Sequence, residues 1–130
     1  MTPFTTIVPH DLAATQRLLT AALKEHGFGV LTEIDLQATF DAKLGREHEG
    51  HKILGVCNPQ LAKAALDADR NVALLLPCTA TLREVEGGTE VAVLDPAEAF
   101  RLATPETQAA LSDLAQDARE RLAAAVDALA

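Results

Sequence analysis

Two segments of the chain carry a thiol beside a proline after an apolar run: Ile53-Leu54-Gly55-Val56-Cys57-Asn58-Pro59 and Leu74-Leu75-Leu76-Pro77-Cys78. Thiols brought to one edge of a sheet can cycle between dithiol and disulfide, form half of a soft-metal site, or supply one activated nucleophile with a partner. Cysteine is also a small residue that fills gaps in apolar interiors, so packing is the competing account. The surroundings of Cys57 and Cys78 decide between these readings, and Lys52 and Lys63 are the candidate cations that would favour a thiolate. Asn58 either caps the helix that follows or presents its amide to a ligand. Cys57, Asn58 and Cys78 are therefore the candidate ligand-binding residues, and no residue is assigned a catalytic role.

Glu47-His48-Glu49-Gly50-His51 is the second group rich in possible ligands. Gly50 opposes the helix that would align His48 with His51, and the spacing is not that of His-Glu-x-x-His. A complete site would need further ligands, with Cys57 or Cys78 the candidates, so the segment reads as a solvated loop and no metal ligand is assigned. His26 falls at a helix end where it meets the dipole, and His10 precedes a helix. Asp35 reads as an N-cap, and Lys43 as a surface lysine or a basic group at a pocket mouth. There is no phosphate loop, dinucleotide fingerprint, nucleophile elbow or paired-carboxylate signature, and no cofactor follows from the sequence.

Composition narrows the partners. The four aromatic residues are all Phe, which removes stacking platforms for bases or sugars and aromatic cages for cations. Eleven Lys and Arg against nineteen Asp and Glu give a net charge of −8, the wrong sign for neutralising phosphates, so nucleic acid is not an expected partner. No window approaches the roughly 18 apolar residues of a membrane span, and the first residues lack a basic, then apolar, leader pattern, so a cytoplasmic protein with reduced thiols is expected. At 130 residues and 48% hydrophobic content, one domain spanning 1–130 is expected, able to bury roughly two-thirds of its unfolded surface without disulfide or metal.

Hydrophobic period supplies the elements that position these groups. Phe4 to Val8 reads as a strand closed by Pro9. Asp11 to His26 reads as a helix with Asp11 as its N-cap, Leu12, Thr15, Leu19, Ala22, Leu23 and His26 in one stripe and Gly27 as its stop. Phe28 to Asp35 alternates as a strand, central because Leu31 makes its second face apolar. Leu36 to Leu44 is a short helix, Gly45 to Gly50 a loop, His51 to Cys57 a strand, Gln60 to Asp69 a helix, and Asn71 to Leu76 a strand. The stretch between those last two strands suits a parallel crossover that would bring both cysteines to one sheet edge. Thr79 to Asp95 is a hairpin turning at Gly87-Gly88, with Glu86 opposite Thr89 and Leu82 opposite Val93. Thr104 caps a final helix with Pro105 at its first position and Leu111, Leu114, Ala118, Leu122, Ala125 and Leu129 buried. The sum is a two-layer α+β sandwich: a mostly antiparallel sheet under two longer helices, with short helices inserted.

Thr32-Glu33-Ile34-Asp35, Lys43-Leu44, the Cys-Asn-Pro and Leu-Pro-Cys segments, the Gly-Gly hairpin and Asp95-Pro96 together resemble the family called domain of unknown function 302. The resemblance implies a β-α-β4-α layout, similar to that of TATA-binding-protein-like folds, in small bacterial or archaeal proteins that tend to form homodimers. It implies no established reaction, and a fold likeness of that kind does not carry DNA binding with it. A homodimer that takes a small molecule or soft metal near Cys57, Asn58 and Cys78 is the leading expectation. Thiol redox or sulfur transfer by the same pair and a purely structural or partner-binding dimer are its rivals.

Overall fold

The computed structural model describes residues 1–130. Strand β1 (Phe4–Val8) leads into helix α1 (Leu12–Glu25), where the Asp11 carboxylate accepts from the Ala14 N–H at 2.8 Å and Gly27 turns the chain at φ +83°. Strand β2 (Gly29–Asp35), helix α2 (Leu36–Leu44), strand β3 (His51–Cys57) and helix α3 (Pro59–Ala68) follow. A 3-10 segment at Arg70–Leu75 then leads to strands β4 (Cys78–Val85) and β5 (Gly88–Val93). Helix α4 (Pro96–Ala99), a 3-10 turn at Phe100–Leu102, α5 (Pro105–Ala110) and α6 (Ser112–Asp127) complete the chain.

The strands form one antiparallel sheet in the order β1-β5-β4-β3-β2. Alternation turns Val8, Leu54, Val56, Ala80, Leu82, Val91 and Val93 to one face, where they meet Leu19 and Leu23 of α1 and Leu122, Ala125 and Val126 of α6. The α+β sandwich is therefore as the periodicity predicts. Each fully buried Leu or Val of this cluster stabilises the fold by about 1.5–3 kcal/mol. A smaller cluster of Ala65, Val72, Phe100, Leu111 and Ala115 holds α3 and the 3-10 segment against the start of α6.

Five local expectations are corrected. Strand β2 is an edge, not a central strand, since β3 alone pairs with it, and a bulge at Leu31, where the register against β3 shifts between Val30 and Thr32, leaves Leu31 64% exposed. Asn71 to Leu76 is not a strand: Asp69 accepts from the Asn71 N–H at 2.9 Å and from the Thr107 hydroxyl at 2.8 Å, which starts a 3-10 turn with only Val72 buried. Cys78 accordingly begins a strand, and β3 and β4 pair antiparallel, with no parallel crossover between them. The hairpin turns one residue earlier, through Glu86-Gly87, with Val85 opposite Gly88 and Leu82 opposite Val91, a two-residue shift of pairing, and Gly87 takes the left-handed φ of +88° inside the turn. A shift of two preserves the faces and sets Arg83 opposite Glu90, where the two form an ion pair at 3.1 Å. The final helix is interrupted at Leu111 (ψ 7°), whose buried side chain joins the smaller cluster.

Candidate functional site

Antiparallel pairing does what the crossover was expected to do. Val56 lies opposite Cys78 in the ladder, so Cys57, one residue on, ends β3 beside the start of β4. Gly55 makes this end of the sheet thin: a Cβ there would come within 2.6 Å of Pro77 Cγ, so glycine lets the proline ring lie over β3. Both cysteines are free thiols and both line a pocket with Asn58. Phe28, Leu61, Leu76, Phe100 and Leu114 are among the side chains that form its wall, which is apolar apart from Asn58 and the thiols. The cavity measures about 30 Å³, close to one water's share of the liquid.

The electrostatics hold these thiols neutral. Burial pushes the Cys57 thiol up, and burial together with the neighbouring Cys57 pushes Cys78 up to about 11. The two lysines that might have opposed this are engaged elsewhere. Lys52 donates to Glu33 at 2.6 Å and Gln16 at 3.2 Å, and its bond to Glu33 is the main reason that carboxyl is held below the usual range. Lys63 pairs with Asp67 at 2.6 Å on the exposed side of α3. Neither lysine therefore lends the thiols a cation that would favour a thiolate.

Asn58 takes the capping role. Its Oδ1 accepts from the Leu61 N–H at 3.1 Å, which starts α3 behind Pro59 at the first helical turn. Its buried side chain still forms part of the pocket wall, so capping and lining coincide in one residue. Asp35 also caps, accepting from the Ala38 N–H at 2.9 Å, and Lys43 is exposed in the last turn of α2.

The rest of the wall comes from sequence positions that carry no chemical signal. Pro96, Phe100 and Leu114 are ordinary apolar residues in one dimension, and only the return of the chain through α4 and α6 brings them to the thiols. Asp95 fixes that return: it accepts from the Ala97 N–H at 2.9 Å and pairs with Arg119 at 3.0 Å while nearly buried. Leu76 belongs both to this pocket and to a wider cleft of about 650 Å³ lined by Leu74, Pro77, Leu94 and Leu102. His48, Glu49 and His51 lie at the opposite end of β3 from Cys57, about 20 Å away at strand rise, so the cysteines do not complete a histidine site.

An antiparallel five-strand sheet packed under helices α1 and α6, with two thiols at one end, defines the class: a small two-layer α+β domain. The chain belongs to the family Domain of unknown function DUF302, whose model matches residues 4–129. It is similar to the crystal structure of an uncharacterised conserved DUF302 protein from Bacillus stearothermophilus, at 29% identity and a TM-score of 0.87 over 100% of this chain and 99% of that one. No curated protein matches it. No helix of the chain is long and apolar enough to cross a membrane.

Proposed function

We propose that this chain is a binding domain for a small, neutral, apolar ligand, seated at the strand ends that carry Cys57, Asn58 and Cys78. The supporting observation is the pairing of an apolar cavity with two thiols whose ionisation it disfavours. An apolar guest leaves both thiols protonated and adds contacts to an apolar wall, and because the cavity holds only about 30 Å³ the guest must widen it toward the neighbouring cleft that shares Leu76. Thiol redox and sulfur transfer need a thiolate, which burial opposes here, and a soft metal would have to displace protons from two thiols whose pKa is raised. Those readings are therefore the weaker ones. Native mass spectrometry of the purified chain, compared with the Cys57→Ser/Cys78→Ser variant, tests the assignment. The proposal expects a bound neutral mass that is reduced in the variant; occupancy unchanged by the double substitution removes the thiols from the site, and a bound metal mass replaces this reading with the soft-metal one.

A second observation favours a homodimer. Residues 29 to 44, the whole of β2 and α2, include no buried side chain, and Leu31, Ile34 and Leu44 are 64%, 48% and 61% exposed. An edge strand with unpaired backbone groups next to an apolar helix is a surface that a second copy covers in a self-complementary way. Leu44→Glu is expected to shift the mass measured by light scattering from dimer to monomer. A monomeric parent chain at high concentration would remove this reading while leaving the ligand site untouched.

A further inference from the structure

We propose that His48, Glu49 and His51 form a site for one divalent transition-metal ion of the zinc type. The three side chains offer ligand atoms that all lie within 4.8 Å of one another. His48 Nε2 and His51 Nδ1 are 3.1 Å apart, and His48 Nδ1 is 3.4 Å from a Glu49 oxygen. The ring planes differ by 12° with centroids 5.3 Å apart, so the imidazoles meet nitrogen to nitrogen along their edges. In that arrangement one ring N–H donates to the lone pair of the other. Two imidazole nitrogens on one tetrahedral zinc, each about 2.0–2.1 Å from it, are about 3.3 Å apart. The metal-free separation of the two histidines is thus close to the ligated one, and Glu49, now at the other ring nitrogen of His48, joins them on one ion by turning its side chain toward the His48 Nε2–His51 Nδ1 gap.

The surroundings hold the ligands where they are. The Gln37 side chain donates to the His48 carbonyl at 3.1 Å, and Phe40 meets the His48 ring edge-on at 4.9 Å, so α2 fixes the loop that carries His48. His51 is fixed as the first residue of β3, opposite Arg83. Arg83 is the one cation of the cross-strand neighbourhood, and it is paired with Glu90 at 3.1 Å. Glu49 is an ordinary carboxylate at neutral pH and supplies the anionic ligand. A cleft of about 490 Å³ lined by Asp41, Arg46, Glu47 and His48 reaches the site from solvent at His48, with the two carboxylates offsetting the one guanidinium. Imidazole with carboxylate selects zinc, copper or nickel over magnesium and calcium. The glycine that made Gly45 to Gly50 read as a solvated loop is what brings His51 back toward His48, because Gly50 is buried against Glu84 and Leu12 at the turn into β3.

The test is titration of the full chain with Zn²⁺ alone, followed by calorimetry and by imidazole nitrogen resonances of all four histidines. The proposal expects saturation at one ion per chain, with His48 and His51 shifting while His10 and His26 do not. His51→Gln and Glu49→Gln should each weaken the affinity, the histidine change by about tenfold or more, with amide dispersion showing that both variants fold. The Cys57→Ser/Cys78→Ser chain should bind Zn²⁺ as the parent does. Equal shifts at all four histidines, loss of binding on removing the thiols, or saturation of the same resonances by Mg²⁺ would each overturn it.

Discussion

Cys78 gives the sharpest quantitative expectation. Its thiol is pushed up to about 11 from an ordinary 9.0, chiefly by burial and secondarily by Cys57. Near neutral pH the thiolate fraction is then about a hundredfold below that of an ordinary cysteine, since each pK unit is a factor of ten. A thiolate of higher pKa is the better nucleophile, with a Brønsted slope of about 0.4–0.5, which returns roughly a factor of ten. Cys78 should therefore alkylate at least about tenfold more slowly than a free cysteine peptide at the same pH, before restricted access slows it further. Brief iodoacetamide pulses at low conversion, read by peptide mass spectrometry, resolve Cys57 and Cys78 separately. The Cys78 rate should rise about tenfold per pH unit and level off only near 11, and Cys57, the less buried thiol, should react faster throughout. A Cys78 rate that levels off near neutral pH, or that exceeds the Cys57 rate, would refute the account of a neutral, desolvated pair.

The same shift makes stability depend on pH. Because the folded pKa is raised, the contribution is fully present below about 9 and is lost as pH rises through about 11, amounting to roughly 2.7 kcal/mol at 1.36 kcal/mol per unit. Urea denaturation of the parent and the Cys78→Ser variant should therefore converge on the alkaline side, and parallel curves would contradict it. Asp95→Ala removes a cap and the partner of the half-exposed Arg119, and a loss of about 0.5–2 kcal/mol is expected by chemical denaturation. Leu82→Ala, at the centre of the sheet and fully buried, should cost about 2–5 kcal/mol, whereas Leu44→Ala on the exposed side of α2 should leave the monomer's stability within about 0.5 kcal/mol.

What the sequence made legible was whatever local chemistry decides. The caps at Asp11, Asp35 and Thr104, the stop at Gly27 and the alternation of β4 and β5 are set by neighbours within a few residues, and the structure places them as read. What it obscured depends on distant partners. Asn71 to Leu76 has the composition of a buried strand, yet the Asp69 carboxylate that turns it is held by Thr107, far along the chain. Leu31 reads as a second apolar face until pairing with β3 shows a bulge there. The cysteines were legible as a pair, for a reason that differed in detail: an antiparallel ladder, not a crossover, unites them. Their pocket was not, since Pro96, Phe100 and Leu114 become neighbours of Cys78 only through the closing helices.

Xenon is an apolar probe with no hydrogen bonds or charge that binds apolar cavities of about 150 Å³, so its entry here measures whether the cavity of about 30 Å³ opens to admit an apolar guest. Methyl NMR of the full chain under xenon pressure therefore measures the proposed site directly. The account predicts saturable shifts concentrated on Val56, Leu61, Leu76 and Leu114, abolished when Ala62→Leu fills the cavity beside the thiols. Shifts spread evenly over the surface methyls, or unchanged in the filled variant, would contradict it.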